Sequence, residues 1–264
     1  MRPISNPDDD SVVVYPADST FDGAWTIWDE DAPSPHEPNT VSIATNVTAS
    51  VEVKYLDWDI KELLRDSKYA SAFTGGQFMH AFLNTYDYHR QHAPVSGTVV
   101  EVNLIQGLCY MNVIAREDGR LVAQRSLASR GFSKRSLANG LVSELDAPDN
   151  AGYQFLQTRG LIIIDNPLLG KVAVLPIGMA QVSSVKLVWE PEEGGSYPIY
   201  PNATIKKGDE ISHFEFGGSD VVLVFEKSAN IKILGATGTD SQGEQTTKQK
   251  YLMGMPLGVS LNSY

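Results

Sequence analysis

A single cysteine, Cys109, stands in 264 residues, so no internal disulfide staples the chain and its stability must come from a packed core. A reducing compartment is compatible with that, and the lone thiol reads as a small buried apolar residue. No apolar run approaches the roughly 20 residues of a membrane-spanning helix. Met1-Arg2-Pro3 leads into Asp8-Asp9-Asp10 rather than into a signal-peptide core. A soluble, cytoplasmic protein is therefore expected. Positive charge is also scarce, with 21 Lys and Arg against 32 Asp and Glu for a net −11. Nucleic acid and anionic lipid both need a concentrated basic face, which this balance disfavours. No Cys/His cluster has the spacing of a structural zinc site, so no metal is expected. No repeat of fixed period appears.

What is present fits one globular domain over residues 1–264, with 42% hydrophobic residues. Branched runs bounded by Gly, Pro, Asn or Asp predict strands at 95–102, 160–165, 171–175, 182–188, 211–216 and 221–225. Ser11-Val-Val-Val-Tyr-Pro-Ala-Asp18 reads as a short strand ending at a proline and delivering a carboxylate. Residues 77–83 suit either a strand or a helical turn. From Asp57 to about Leu64 the apolar residues fall at helical spacing, with Asp57 placed to cap and Asp59 and Glu62 in the first turn. Residues 29–40, 116–135 (rich in Arg and Lys) and 240–250 read as surface loops, the basic one with a substrate-facing or lipid-facing role left open. The expected class is α+β, a mainly antiparallel β core with barrel-sandwich-like hairpins and a few peripheral helices.

Two features carry chemistry. His89 and His92 sit three apart in Tyr88-His-Arg-Gln-His-Ala-Pro94; a helix there would put both imidazoles on one face. Acid–base catalysis, a metal site and plain surface or packing roles all remain open for them. Gly217-Gly218-Ser219 lies between two β-like runs and by itself is an ordinary hairpin turn. It also allows specific chemistry, because glycine admits strained backbone and a following serine can attack the preceding carbonyl once a base takes its proton. Elimination from the ester so formed cuts the chain and leaves a pyruvoyl group.

The order Pro16-Ala-Asp18, then Asp87-Tyr-His-Arg-Gln-His-Ala-Pro94, then Gly217-Gly-Ser219 resembles the phosphatidylserine decarboxylases. Ile177-Gly-Met-Ala-Gln-Val-Ser-Ser184, Lys207-Gly-Asp-Glu210 and Met253-Gly-Met-Pro-Leu-Gly-Val259 are similar to further stretches of that family. The resemblance covers nearly the whole chain. It implies a carboxy-lyase synthesised as a zymogen and cut between Gly218 and Ser219 into chains 1–218 and 219–264. Ser219 then resembles the self-cleaving serine that becomes a covalent pyruvoyl cofactor, His92 the base that activates it and Asp18 the carboxylate that orients that base. His89 resembles the family's other active-site histidine, assisting decarboxylation. The pyruvoyl carbonyl would hold the substrate amine as a Schiff base and delocalise the charge left by carbon dioxide.

The wording His-Arg-Xaa-His-Ala-Pro-Val-Xaa-Gly with Ile-Gly-Met and Phe-Gly-Gly-Ser is similar to the fungal tryptophan-decarboxylase branch. That implies a free, aromatic amino acid as substrate, with phosphatidylserine and peripheral membrane association as the alternative. Tyr88, Phe82 and Phe214 are read as core residues that could also offer apolar contacts. Two residues depart from the family wording, Asp220 after the serine and Ser19 after Asp18; the first sets a charge beside the future cofactor. Two readings of another class are an unprocessed ligand-binding relative and, from the likeness of 94–102 and 207–210 to biotinyl and lipoyl hairpins, a carrier module. The carrier lacks its attachment lysine. A homo-oligomer is compatible with everything above.

Overall fold

The computed structural model describes residues 2–29, 40–45, 54–84, 86–107, 112–115, 121–124, 133–135, 142–144, 153–178, 185–188, 199–215, 219–235, 237–239 and 245–262. Its centre is an antiparallel sheet of eight strands. In chain order these are β1 (Ser19–Thr26), β2 (Gln77–Leu83), β3 (Gly97–Ile105), β4 (Arg159–Asn166), β5 (Gly170–Ile177), β6 (Thr204–Ile205), β7 (Ser219–Phe225) and β8 (Lys250–Tyr251). They lie side by side in the order β6-β3-β4-β5-β7-β2-β1-β8. The α+β expectation holds, with antiparallel strands dominant and few helices.

Both faces of the sheet are covered, which is why the central strands read as nearly continuous apolar runs. Alternate residues of β2 and β7 go to opposite cores. Met79, Ala81, Leu83, Val221, Leu223 and Phe225 join one cluster, while Phe78, Val222 and Val224 join the other. The first cluster is closed by Val13, Tyr15, Ile211 and Leu257. Tyr15 directly follows a strand, and the other three lie in two three-stranded sheets, one of Val12–Val14, Pro256–Ser260 and Ile231–Ile233, the other of Val185–Leu187, Glu210–Phe214 and Arg90–His92. The second cluster is closed by Ile60, Leu63, Leu64, Phe73 and Phe155.

Two open alternatives are decided and two expectations change. Residues 77–83 form a strand, because both neighbours in the sheet pair with it throughout. The helix is a single turn, α1 (Ile60–Leu63), capped by Asp59 accepting from the Lys61 N–H at 2.8 Å; Asp57 instead lies in the strand Lys54–Asp59, paired with Thr40–Thr45. Arg90–His92 is a strand paired with Glu210–Phe214, so His89 and His92 do not share a helix face. Within 240–250, expected to be a loop, Gln245–Lys248 pairs with Thr237–Thr239 and Lys250–Tyr251 is β8. Gly217, Gly218, Cys109, residues 179–184 and, from the basic stretch, Arg116, Arg120, Arg125 and Arg130 lie outside the described residues.

Candidate active site

The residues singled out by sequence converge on the end of the sheet where β2 finishes and β7 begins. Ser219 opens β7 and is paired in register with Leu83, the last residue of β2. Asn84 follows directly, and its carbonyl lies 2.9 Å from His89 Nε2. His89 is tied back a second time, since its carbonyl accepts the Phe214 N–H at 3.0 Å and its ring meets the Phe214 ring edge-on at 6.2 Å. Its ring and its carbonyl thus tie His89 to Asn84, at the end of β2, and to Phe214, five residues before Ser219. The turn between them is fixed by buried Asp87, which accepts the Asn84 N–H at 2.9 Å and pairs with Lys250.

His92 lies beside the Pro16-Ala-Asp18 segment, with its backbone N–H donating to the Pro16 carbonyl at 2.7 Å. Its Nδ1 is 2.7 Å from the Gly208 carbonyl and its Nε2 is 3.1 Å from the Tyr88 hydroxyl. A carbonyl only accepts, so Nδ1 carries the proton and Nε2 presents the lone pair. Burial lowers the His92 pKa below the ordinary 6.5, outweighing the Gly208 carbonyl and Glu210, so the ring is neutral at neutral pH. Tyr88 is pushed the other way, by burial and then by Glu210, so it stays a phenol and donates to Nε2. The Tyr88 and His92 rings are also stacked, 5.7 Å apart at 22°. Gly208 has φ +93, a left-handed conformation that aims its carbonyl at the imidazole and that glycine adopts without strain.

Asp18 is buried just ahead of β1. Its Oδ1 accepts the Met253 N–H at 2.9 Å and pairs with Arg2. The Arg2 guanidinium in turn lies over the Tyr88 ring, 5.0 Å from its centroid. Asp18 thus connects to His92 through Arg2 and Tyr88, while the Gly208 carbonyl accepts from the imidazole. Arg2 and Gly208 were missed as site residues and Tyr88 was read only as an apolar residue. One available signal was the glycine in Lys207-Gly-Asp-Glu210, since a mid-loop glycine marks backbone that must turn sharply. Among the described residues no group of His, Cys, Asp and Glu is arranged to hold a metal.

Comparison with known proteins now bears on these residues. Residues 1–258 match the sequence profile of the phosphatidylserine decarboxylase family, and the chain belongs to that family. The chain is 28% identical to Decarboxylase iboD of Amanita muscaria over 239 residues, covering 87% of this chain and 55% of the relative. It is 29% identical over 183 residues to a phosphatidylserine decarboxylase proenzyme of Clostridium perfringens, covering 69% and 48%. With the L-tryptophan decarboxylase of Psilocybe cyanescens it shares 25% over 201 residues, covering 73% and 40%. The chain spans about half the length of the curated relatives it matches.

Proposed function

We propose that this chain is the catalytic unit of a pyruvoyl-dependent decarboxylase that cuts itself between Gly218 and Ser219, one domain divided into chains 1–218 and 219–264. The observation that carries the reading is the neutral His92, its Nδ1 proton held by Gly208 and its Nε2 left as the acceptor, in a chain matched by a decarboxylase family along nearly all its length. In this reading His92 Nε2 takes the Ser219 hydroxyl proton, trading its Tyr88 hydrogen bond for it. The hydroxyl oxygen attacks the Gly218 carbonyl carbon and the 218–219 C–N bond breaks, leaving an ester and a free amine. Loss of the Cα proton of residue 219 expels the Gly218 carboxylate. Water then enters, ammonia leaves, and residue 219 becomes pyruvoyl.

The surroundings fit such a group. Position 219 begins a strand whose next residue, Asp220, is fully buried, so a new chain end there stays anchored in the sheet. The pyruvoyl carbonyl supplies an electron sink for the charge released with carbon dioxide. His89, held to the Asn84 carbonyl beside that end, is positioned to hold or return a proton at the substrate carbon. Asp18 and Arg2 hold the Tyr88 ring over His92.

For the substrate we favour a free amino acid, aromatic in the preferred case, over phosphatidylserine. The net charge of −11 supports this, because an acidic protein has little attraction for an anionic lipid surface. No helix among the described residues is long and apolar enough to cross a membrane. The deciding experiment is the intact mass of the purified protein under denaturing conditions. Two chains are expected, the smaller starting at 219 and lighter than its serine-started sequence by one ammonia. One full-length mass, with no carbonyl that hydrazine reagents can label, would leave only a ligand-binding relative. A screen of amino acids against phosphatidylserine with the cut enzyme then assigns the substrate, and activity on the phospholipid alone would reverse our preference.

A further inference from the structure

The charge that the sequence sets beside Ser219 is met from across the sheet. Asp220 is fully buried, and its Oδ1 lies 3.3 Å from Nε2 of His80, itself fully buried at the centre of β2. The other nitrogen of His80, Nδ1, is 3.0 Å from Oδ2 of Asp22 on β1, which is 7% exposed. The three side chains come from three adjacent strands and share the face of Phe78 and Val222, an otherwise apolar core. β1 even bulges between Phe21 and Gly23 at this level. Nothing in the cleavage chemistry uses these groups, and an apolar trio would fill the same core without desolvating charge.

We propose that Asp22, His80 and Asp220 are a positioning cluster that fixes residue 220, and through it the peptide at Ser219, for self-cleavage. This rests on the reading of Ser219 as the cut residue. A bond in a strand end is free to swing unless its neighbour is held, and intramolecular attack falls steeply with small misplacement. Asp220 is one peptide from the attacking residue. His80 grips it while braced by Asp22 from the far side, so three strands act on one carboxylate. Placing the imidazole between the two carboxylates also gives each of them a ring nitrogen within reach.

The test follows disappearance of the uncut full chain with time by intact mass, on precursor made by cell-free synthesis. His80→Gln is expected to slow cleavage by about tenfold or more. Asp220→Ala should slow it to a similar extent, although it leaves the His80–Asp22 pair complete and strands no charge. The double variant His80→Gln with Asp220→Asn, which replaces the ion pair by an amide-to-amide hydrogen bond, should return the rate to within about threefold of wild type. A cluster that serves only to balance charge makes the opposite prediction for Asp220→Ala, namely wild-type cleavage, and that result overturns the proposal even if His80→Gln fails to fold. A wild type that cuts normally while both single variants cut equally fast removes the cluster's role alone. A wild-type chain that stays whole overturns the cleavage reading and the cluster together.

Discussion

At the scale of single residues the site turns on which nitrogen of His92 is available. Gly208 claims Nδ1 and Tyr88 touches Nε2. The Tyr88 hydroxyl donates to the neutral ring, so it disfavours the protonated one. Because His92 is already held below 6.5, chiefly by burial, self-cleavage should be independent of pH around neutrality and fall only on the acid side. Tyr88→Phe keeps the ring stack but removes the donor, so the acid limb of the cleavage rate should move to higher pH. A rate profile superimposable on wild type would show that the hydroxyl does not tune the base. Ser219→Ala should give one uncut chain and no activity, and a normally cleaved, active variant would refute the processing scheme. His89 has no place in the proton transfer that starts cleavage, so His89→Ala should depress turnover more than cutting. Comparing kcat of the cut variant with its cleavage rate separates the two steps.

Elements explain why some of this was legible in the sequence and some was not. The central strands declared themselves because both faces of the sheet are buried, so Leu161-Ile-Ile-Ile164 and Val221-Val-Leu-Val-Phe225 contain no solvent-facing residue to mask them. The Pro16-Ala-Asp18, His-rich and Gly-Gly-Ser segments were visible as ordered motifs. Their contacts were not, since an i,i+3 histidine pair has the same spacing in a strand as in a helix, and only the pairing of Arg90–His92 with Glu210–Phe214 decides. The His80 cluster left no local trace, because its three members meet through strand pairing between distant segments. Arg159 was equally hidden. It is fully buried, and its guanidinium donates to the carbonyls of Leu63 at 2.7 Å, Glu62 at 2.5 Å and Gln157 at 2.6 Å. Two of these are last-turn carbonyls of α1, which a four-residue helix cannot satisfy internally. Burial, then the nearby Arg65, lower the Arg159 pKa to about 10, so it remains charged. Arg159→Met fills a similar volume but strands those carbonyls, and should cost about 2–4 kcal/mol in denaturant unfolding. Arg159 lies two strands from Asp220, in register through Ile177, but its guanidinium holds α1 rather than β7, so cleavage should be unaffected; a shifted or lost cut would place α1 in the processing machinery.

On the scale of the whole molecule, two buried histidines give stability opposite dependences on pH. Burial opposes the charged form of His80, but the Asp220 and Asp22 carboxylates more than reverse this and raise its pKa above 6.5. Its contribution is therefore complete below the unfolded value near 6.5 and is lost as pH rises through the folded value. His92 has the opposite sign. Its pKa is lowered, so what it contributes is present above 6.5 and is lost as pH falls. The fold should thus lose stability on both sides of neutrality, for reasons lying at opposite faces of the same sheet. In a Ser219→Ala background, where the chain stays whole, the thermal midpoint should fall with rising alkaline pH. Adding His80→Gln with Asp220→Asn should flatten that alkaline fall and leave the acid side unchanged, because the amide pair has no proton to lose. If the two alkaline slopes coincide, His80 is neutral in the folded protein, which would turn the grip on residue 220 from an ion pair into an ordinary hydrogen bond.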